Sequence, residues 1–197
     1  MTDPLDLTRV LRIQAHANRL ANHRLHRAMS ALTPAEMHAP RTSFFPTLMQ
    51  TLNHLLEVDL YYIGCLRRDP DVRRRYFVER VPHEVFAPLA EEQAGSDARL
   101  VAFCDGLTPS SINEECAMDR GDRGVQRDLA GHVLLHLFMH QTHHRGQLHA
   151  MLSGTSVAPP QLDEFLMPTD AKFRVEDMAQ LGWREPDVYG PVAHPWN

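Results

Sequence analysis

The sequence predicts an all-α protein in which four long helices form a bundle, with one long crossover and a carboxy-terminal extension. Apolar residues recur at intervals of three and four in four long segments, which is the spacing of helices that bury one face. Prolines fall at or between the ends of these segments. A chain of 197 residues suffices for one such bundle. We assign the bundle to residues 1–158 and the extension to residues 159–197.

The first helix is expected over residues 7–32, because Leu, Val and Ala recur on one face of this segment. Asp6 precedes the segment and is the expected N-cap. The tetrad from Thr33 to Glu36 is typical of a capping box with proline at the first helical position. We therefore expect a short extra helical turn before Pro40.

The second helix is expected to run to about residue 67, with Ser43 as its cap and Pro46 in its first turn. His54 lies in the middle of this helix. The residues on its stripe of the helix form a mixed lining, which is more typical of a pocket wall than of a packed interface. They are Thr47, Gln50, Val58, Tyr61 and Cys65.

The second half of the chain contains two further helices. Residues 68–88 lack helical period and form the expected crossover, and residues 89–107 resume the period up to Gly106. Residues 116–124 are typical of a small irregular turn or ribbon. The fourth long helix is expected over residues 128–151, which contain no proline.

The carboxy-terminal extension begins at a double proline, Pro159-Pro160, that excludes further helix. A short helix is expected over residues 175–181. Three aromatic residues among prolines predict a strap that packs on the bundle or on a neighbouring subunit. These are Trp183, Tyr189 and Trp196.

Four imidazoles fall within nine residues of the fourth helix. His136, His140, His144 and Gln147 share one narrow stripe with apolar residues, whereas a purely solvated histidine surface would have polar neighbours. Burying imidazoles without partners costs about 1–3 kcal/mol for each unsatisfied group, which a shared cation would relieve. His140 and His144 have the i, i+4 spacing of two ligands to one ion, although the spacing of His140 and His143 could also chelate.

Helical bundles commonly build metal sites from facing helices, and His54 is a candidate third ligand to His140 and His144. Three histidines leave a coordination position open for water or substrate. Imidazole ligands suit several divalent metals; we favour Zn or Ni, with Fe, Mn and Cu as alternatives. The sequence contains no His-Glu-x-x-His motif, no paired Glu-x-x-His motifs and no Gly-x-Ser-x-Gly motif, which argues against the sites built on those motifs.

Composition limits the partners of this chain. The net charge of -5 and the pI near 6.2 provide no basic face for nucleic acid. No segment has the length of apolar sequence that a membrane span requires. Three cysteines without Cys-x-x-Cys spacing, together with an amino terminus that lacks a signal-like apolar segment, predict a cytoplasmic protein.

Motifs on two helices resemble the DinB family, and the resemblance extends over about residues 5–165. They are Thr51-Leu52-Asn53-His54 with Asp59-Leu60-Tyr61-Tyr62, the run from His140 to Gln147, and Pro159-Pro160-Gln161-Leu162-Asp163. The resemblance implies an up-down-down-up four-helix bundle that is usually a homodimer and holds one divalent metal on three histidines. Carried over by position, these are His54, His140 and His144. The wider superfamily includes thiol-dependent S-transferases and maleylpyruvate isomerase.

Two functions are expected from these observations. The first is a metal-dependent hydrolase or thiol S-transferase that acts on a small molecule, with a low-molecular-weight thiol as cosubstrate. The second is a non-catalytic stress-response protein that binds metal or sequesters a ligand; a weaker third reading is a metal-free bundle whose histidines are vestigial or respond to pH. The residues expected to line the pocket or to support the ligands are Thr47, Gln50, Tyr61, His136, His143 and Gln147.

Overall fold

The computed structural model describes residues 5–163 and 167–189, and within these ranges the chain is predominantly helical. Helices α1 (Leu7–Met29), α2 (Pro34–His38), α3 (Leu48–Leu66) and α4 (Phe86–Asp105) precede a small sheet of strands β1 (Glu115–Asp119) and β2 (Val125–Leu129). Helices α5 (Ala130–Leu152), α6 (Val175–Leu181) and α7 (Glu185–Val188) follow the sheet. No helix in the described part of the chain has the length and apolar character needed to cross a membrane.

The helix starts are fixed by side-chain caps. Asp6 caps α1 by accepting a hydrogen bond from the backbone N–H of Arg9, and Thr33 forms the expected capping box with Glu36. The expected cap at Ser43 is wrong, because Thr47 caps α3. Residues 41–46 instead form a bend in which the Arg41 N–H donates to the Pro46 carbonyl at 2.7 Å.

The four long helices pack in pairs around a common core. Helix α1 contacts α4 and α5, and helix α3 contacts the same two helices from the other side. The faces that meet consist largely of Leu, Val, Ile and Met, as the periodicity predicts. This arrangement places the middle of α3 opposite the middle of α5, where both carry histidine.

Strands β1 and β2 form an antiparallel hairpin directly before α5. It includes residues 116–124, which the sequence predicts as a turn or ribbon, and it continues to Leu129, so α5 begins at Ala130 and not at residue 128. The Ala130 N–H donates to the Glu114 carbonyl at 2.9 Å, so the hairpin leads directly into the helix. The side chains of Cys116 and Met118 on β1 point into the core. The hairpin therefore covers one end of the α3–α5 pair.

The carboxy-terminal segment packs on α1. The Arg24 guanidinium donates to the Asp177 carboxylate at 2.6 Å and to the Phe173 carbonyl at 2.7 Å. Trp183 lies edge-on against His16, with ring centroids 4.6 Å apart, and Tyr189 is buried. Helix α6 occupies residues 175–181, as expected. Residue Trp196 lies outside the described residues, and Trp183 and Tyr189 pack on the same chain.

A buried arginine links α1 to α5. Arg145 is 9% exposed, and its guanidinium donates to the side-chain oxygens of Asn18, Asn22 and Gln141. It is one residue beyond His144 and lies on the opposite side of α5 from solvent. These contacts give Arg145 a structural role between the two helices.

Two buried carboxylates extend this polar network to α3 and α4. The Gln141 amide donates to Asp59, and the Gln93 amide donates to Asp59 at 2.7 Å and to Asp97 at 3.1 Å. The Asn22 amide also donates to Asp97 at 3.0 Å. This network therefore contains two carboxylates and one guanidinium, and its members come from all four long helices. An unbalanced negative charge in such a place favours protonation of one carboxyl group.

We expect the Asp97→Asn variant to lose less stability than the wild type as the pH rises. Burial raises the pKa of Asp97 to about 7 and that of Asp59 to about 6, above the value near 4 of an unfolded carboxyl group. Between about pH 4 and the raised pKa values, the folded state binds more protons than the unfolded state. The contribution of the two protonated carboxyl groups to stability is therefore full below about pH 4 and is lost as the pH rises through 6 to 7.

Urea unfolding in the presence of chelator at pH 5.5 and pH 8 measures this effect. The wild type should lose on the order of 1–2 kcal/mol more than Asp97→Asn over this interval. The exposed Asp122→Asn variant should behave like the wild type. Equal pH dependence in Asp97→Asn and the wild type would show that the network holds no extra proton.

Candidate metal centre

Three histidines from two helices converge between the middle of α3 and the middle of α5. His54 comes from α3, and His140 and His144 come from successive turns of α5. One ring nitrogen of each lies within 4.8 Å of the other two. The Nε2 atoms of His54 and His140 are 3.0 Å apart. The sequence-based pairing of His140 with His144, rather than with His143, matches this geometry.

The ring nitrogens fit one cation. Two ligand nitrogens at about 2.1 Å from a tetrahedral Zn²⁺ lie roughly 3.4 Å apart, close to the separation of the His54 and His140 nitrogens. Two facing ring nitrogens can share one proton or one cation. The Nδ1 atom of His140 is buried and has no hydrogen-bond partner among the described residues. Three imidazole nitrogens form a donor set that borderline divalent metals prefer.

The histidines are held in the neutral form that ligates metals. Burial lowers the pKa of His54 to about 4. Burial, with the neighbouring histidines as a smaller cause, lowers the pKa of His140 to about 3. Burial also lowers the pKa of His144. At neutral pH no proton has to be displaced from these rings before a metal binds.

Gln147 sets the tautomer of His144. The Nδ1–H group of His144 donates to the Gln147 side-chain oxygen at 2.7 Å, which leaves its Nε2 lone pair for a ligand bond. The Gln147 amide in turn donates to the His143 Nε2 at 3.2 Å. His143 is exposed, and its ring centroid lies 4.9 Å from that of His144. Outer hydrogen bonds of this kind orient metal-binding imidazoles.

An aromatic ring covers one side of the three histidines. The Phe45 ring lies 4.4 Å from the His54 ring and 5.8 Å from the His144 ring, measured between centroids. The bend at residues 41–46 holds it there. Phe45 therefore excludes water from that face of the site and restricts the approach of ligands.

A cavity of about 720 Å³ adjoins the site at His54. Thr47 and Gln50 line it, in the positions expected from the stripe that they share with His54. The remaining wall combines apolar side chains from the α2–α3 region with charged side chains from α3 and the crossover. The principal ones are Phe45, Met49, Pro82, Glu57, Arg80 and His83.

Tyr61 lies elsewhere. Its hydroxyl donates to the Asp119 carbonyl at 2.6 Å, and it lines a separate cavity beside the hairpin with Cys65. Tyr61 lies two helical turns beyond His54, at the end of α3 that the hairpin covers. It therefore does not reach the cavity beside His54. The expectation that Tyr61 lines the pocket is corrected by this placement.

His136 and Gly146, which are also on α5, lie outside the three-histidine group. His136 is exposed, packs edge-on against Tyr62, and has its ring centroid 6.2 Å from that of His140, so it borders the site without joining the three-histidine group. A Cβ atom placed at Gly146 meets nothing within 4 Å, so no other described segment packs closely against this mid-helix glycine.

Several side chains around the site were not predicted from the sequence. Phe45 was assigned only to the start of a helix, and the contribution of the crossover could not be predicted because residues 68–88 have no period. The sequence offered one signal for the contribution of the crossover, namely Asn53, which immediately precedes His54 in the family motif. Its side-chain oxygen accepts from the His83 N–H at 2.7 Å, and its amide donates to the His83 carbonyl at 2.9 Å.

Comparison with known proteins agrees with the motifs. The family model described as DinB family matches residues 14–184. The match includes all three converging histidines and continues into the carboxy-terminal segment, beyond the last motif at residues 159–163. No curated protein matches the chain.

Proposed function

Because the chain belongs to the DinB family, we propose that His54, His140 and His144 bind one divalent metal ion within an up-down-down-up four-helix bundle. The observation that carries the proposal is the convergence of three neutral imidazoles from two helices, with two of their nitrogens 3.0 Å apart. Zn and Ni suit these ligands best, and Fe, Mn and Cu are the alternatives.

We propose that this site serves a hydrolase or thiol S-transferase that acts on a small molecule. When bound, the metal supplies a Lewis acid that lowers the pKa of a water or thiol at neutral pH. Phe45 shields the imidazoles from bulk water, which strengthens electrostatic interactions inside the site. The cavity beside His54 has the volume for a small substrate.

A second proposal is a non-catalytic protein of the stress response, in which the metal supports the fold or the cavity sequesters a ligand. The observation in its favour is that the three imidazoles join α3 to α5 across the core, so a bound ion would cross-link the two helices. For either function we propose a cytoplasmic homodimer. The three cysteines are buried and unpaired, as expected in a reducing compartment.

Elemental analysis of protein purified without a histidine tag tests the metal, and turnover of an electrophile with a low-molecular-weight thiol tests the reaction. We expect about one divalent ion per chain and a loss of turnover in His54→Ala. Intact turnover in that variant would exclude the catalytic role of the site. A large drop in melting temperature on chelation, without turnover of any thiol or ester, would favour the second function.

A further inference from the structure

The cavity beside His54 carries a carboxylate that the protein leaves without an ion pair. We propose that Glu57 binds a cationic amine, and that the ligand of this cavity combines that amine with an anionic metal-binding donor. The proposal rests on the metal site proposed above and specifies the class of small molecule that the site accepts.

Two other ionisable groups of the cavity wall, Arg80 and His83, are already engaged, whereas Glu84 is exposed to solvent. The Arg80 guanidinium donates through two nitrogens to both oxygens of Glu92, each at 3.1 Å, and His83 Nε2 lies 2.7 Å from the same carboxylate. Asn53 fixes the His83 backbone by two hydrogen bonds. This wall is therefore organised before a ligand arrives, and Arg80 is not available to bind an anion.

Glu57 lies one helical turn beyond His54 on the same side of α3, and both residues line the cavity. It makes no salt bridge among the described residues, although it is only partly exposed. Burial raises the pKa of Glu57, and the nearby Arg80 charge opposes that rise. A cation placed beside this carboxylate would stabilise its charged form.

The charge balance of the cavity selects the rest of the ligand. The Arg80 charge is balanced by its ion pair with Glu92 of α4, so the two carboxylates that line the cavity, Glu57 and Glu84, leave two negative charges there. The excess of two negative charges balances a divalent cation on the histidines. A ligand that brings an anionic donor therefore has to bring its own positive charge, and a dianion is repelled.

The proposed metal site and the Glu57 carboxylate are close together, so the two ends of the ligand must be close as well. Residues three apart on a helix have Cβ atoms roughly 5–6 Å apart, which limits the donor and the amine to a separation of a few bonds. Phe45, Met49 and Pro82 provide apolar surface beside them. A small aminothiol meets these conditions, because thiolates bind borderline metals and the amine is protonated at neutral pH.

The test uses Co²⁺-loaded protein and three thiols of similar size, with visible absorption of the ion as the readout. The probes are 2-aminoethanethiol, neutral 2-mercaptoethanol and anionic 3-mercaptopropionate. We expect the ratio of the 2-mercaptoethanol Kd to the aminothiol Kd to fall about tenfold in Glu57→Gln. Comparing ratios between variants removes the intrinsic difference in thiol acidity. Binding of 3-mercaptopropionate should strengthen in the same variant.

The controls separate this proposal from the metal site. Exposed Glu91→Gln should retain the wild-type ratio, and Glu57→Gln should still bind Co²⁺ because it keeps all three histidines. If all three thiols bind with the same ratios in the wild type and Glu57→Gln, the role of Glu57 is overturned while the metal site stands. If the wild type fails to bind Co²⁺, both proposals are overturned.

Discussion

Replacing His140 by alanine is expected to weaken divalent-metal binding by more than about 100-fold. The three rings form a nearly equal triangle, in which the His140 centroid lies 4.9 Å from that of His54 and 4.4 Å from that of His144, and the latter two lie 4.6 Å apart. Its loss removes one of three ligands and leaves the remaining pair on separate helices. Loss of an outer hydrogen bond typically costs 10–100-fold in metal affinity, so loss of a ligand should exceed about that range.

Competition titration against a chromophoric chelator measures these affinities. His136→Ala is the matched control, because His136 lies on the same face of α5, one turn away, and is exposed. Gln147→Leu should fall between the two, with a loss of about 10–100-fold, since it frees the tautomer of His144. Wild-type affinity in His140→Ala would place the metal elsewhere.

Replacing Arg145 by methionine is expected to destabilise the fold by about 3–5 kcal/mol. The change keeps the length of the side chain and removes the only guanidinium that donates to Asn18, Asn22 and Gln141 in the described part of the chain. The carboxylates of Asp59 and Asp97 would remain buried without a compensating positive charge. Their desolvation is the physical cause of the expected loss.

Urea unfolding of chelated protein measures the loss, with exposed Arg123→Met as a control that should change stability by less than about 0.5 kcal/mol. The double variant Arg145→Met, Asp97→Asn should be more stable than the sum of the single effects predicts, because it removes one of the two buried negative charges. Additive effects would mean that Arg145 and Asp97 are not electrostatically coupled.

The sequence predicted the helices and the converging histidines for related reasons. A period of 3.6 residues determines which residues share a helix face, and this predicted the pairing of His140 with His144. The caps at Asp6 and Thr33 could also be inferred from residues close in sequence. The proximity of His54 to that pair required the packing of two helices, and the family motifs supplied it. Binding of a metal by these residues stays a prediction.

The remainder of the site depends on contacts between segments distant in sequence. The bend that carries Phe45 onto His54 replaced an expected helix start at Ser43, because Thr47 is the better-placed cap. The crossover that brings Arg80 and His83 to the cavity has no periodic pattern to interpret. Tyr61 shares a helical stripe with His54, but helix projection does not show that a hairpin covers the far end of that stripe.

The hydrogen bonds of Arg24 bear on where this protein can be shortened. Its guanidinium lies 8% exposed in the groove between α1 and the polypeptide that follows Pro160, and its acceptors there are Asp177, Phe173 and the Gln161 carbonyl. A truncated version that stops after α5 would remove these acceptors and would expose the apolar residues Leu20 and Ala21, which Leu181 and Trp183 cover. Recombinant fragments meant to preserve the native helices should therefore retain the chain through α6.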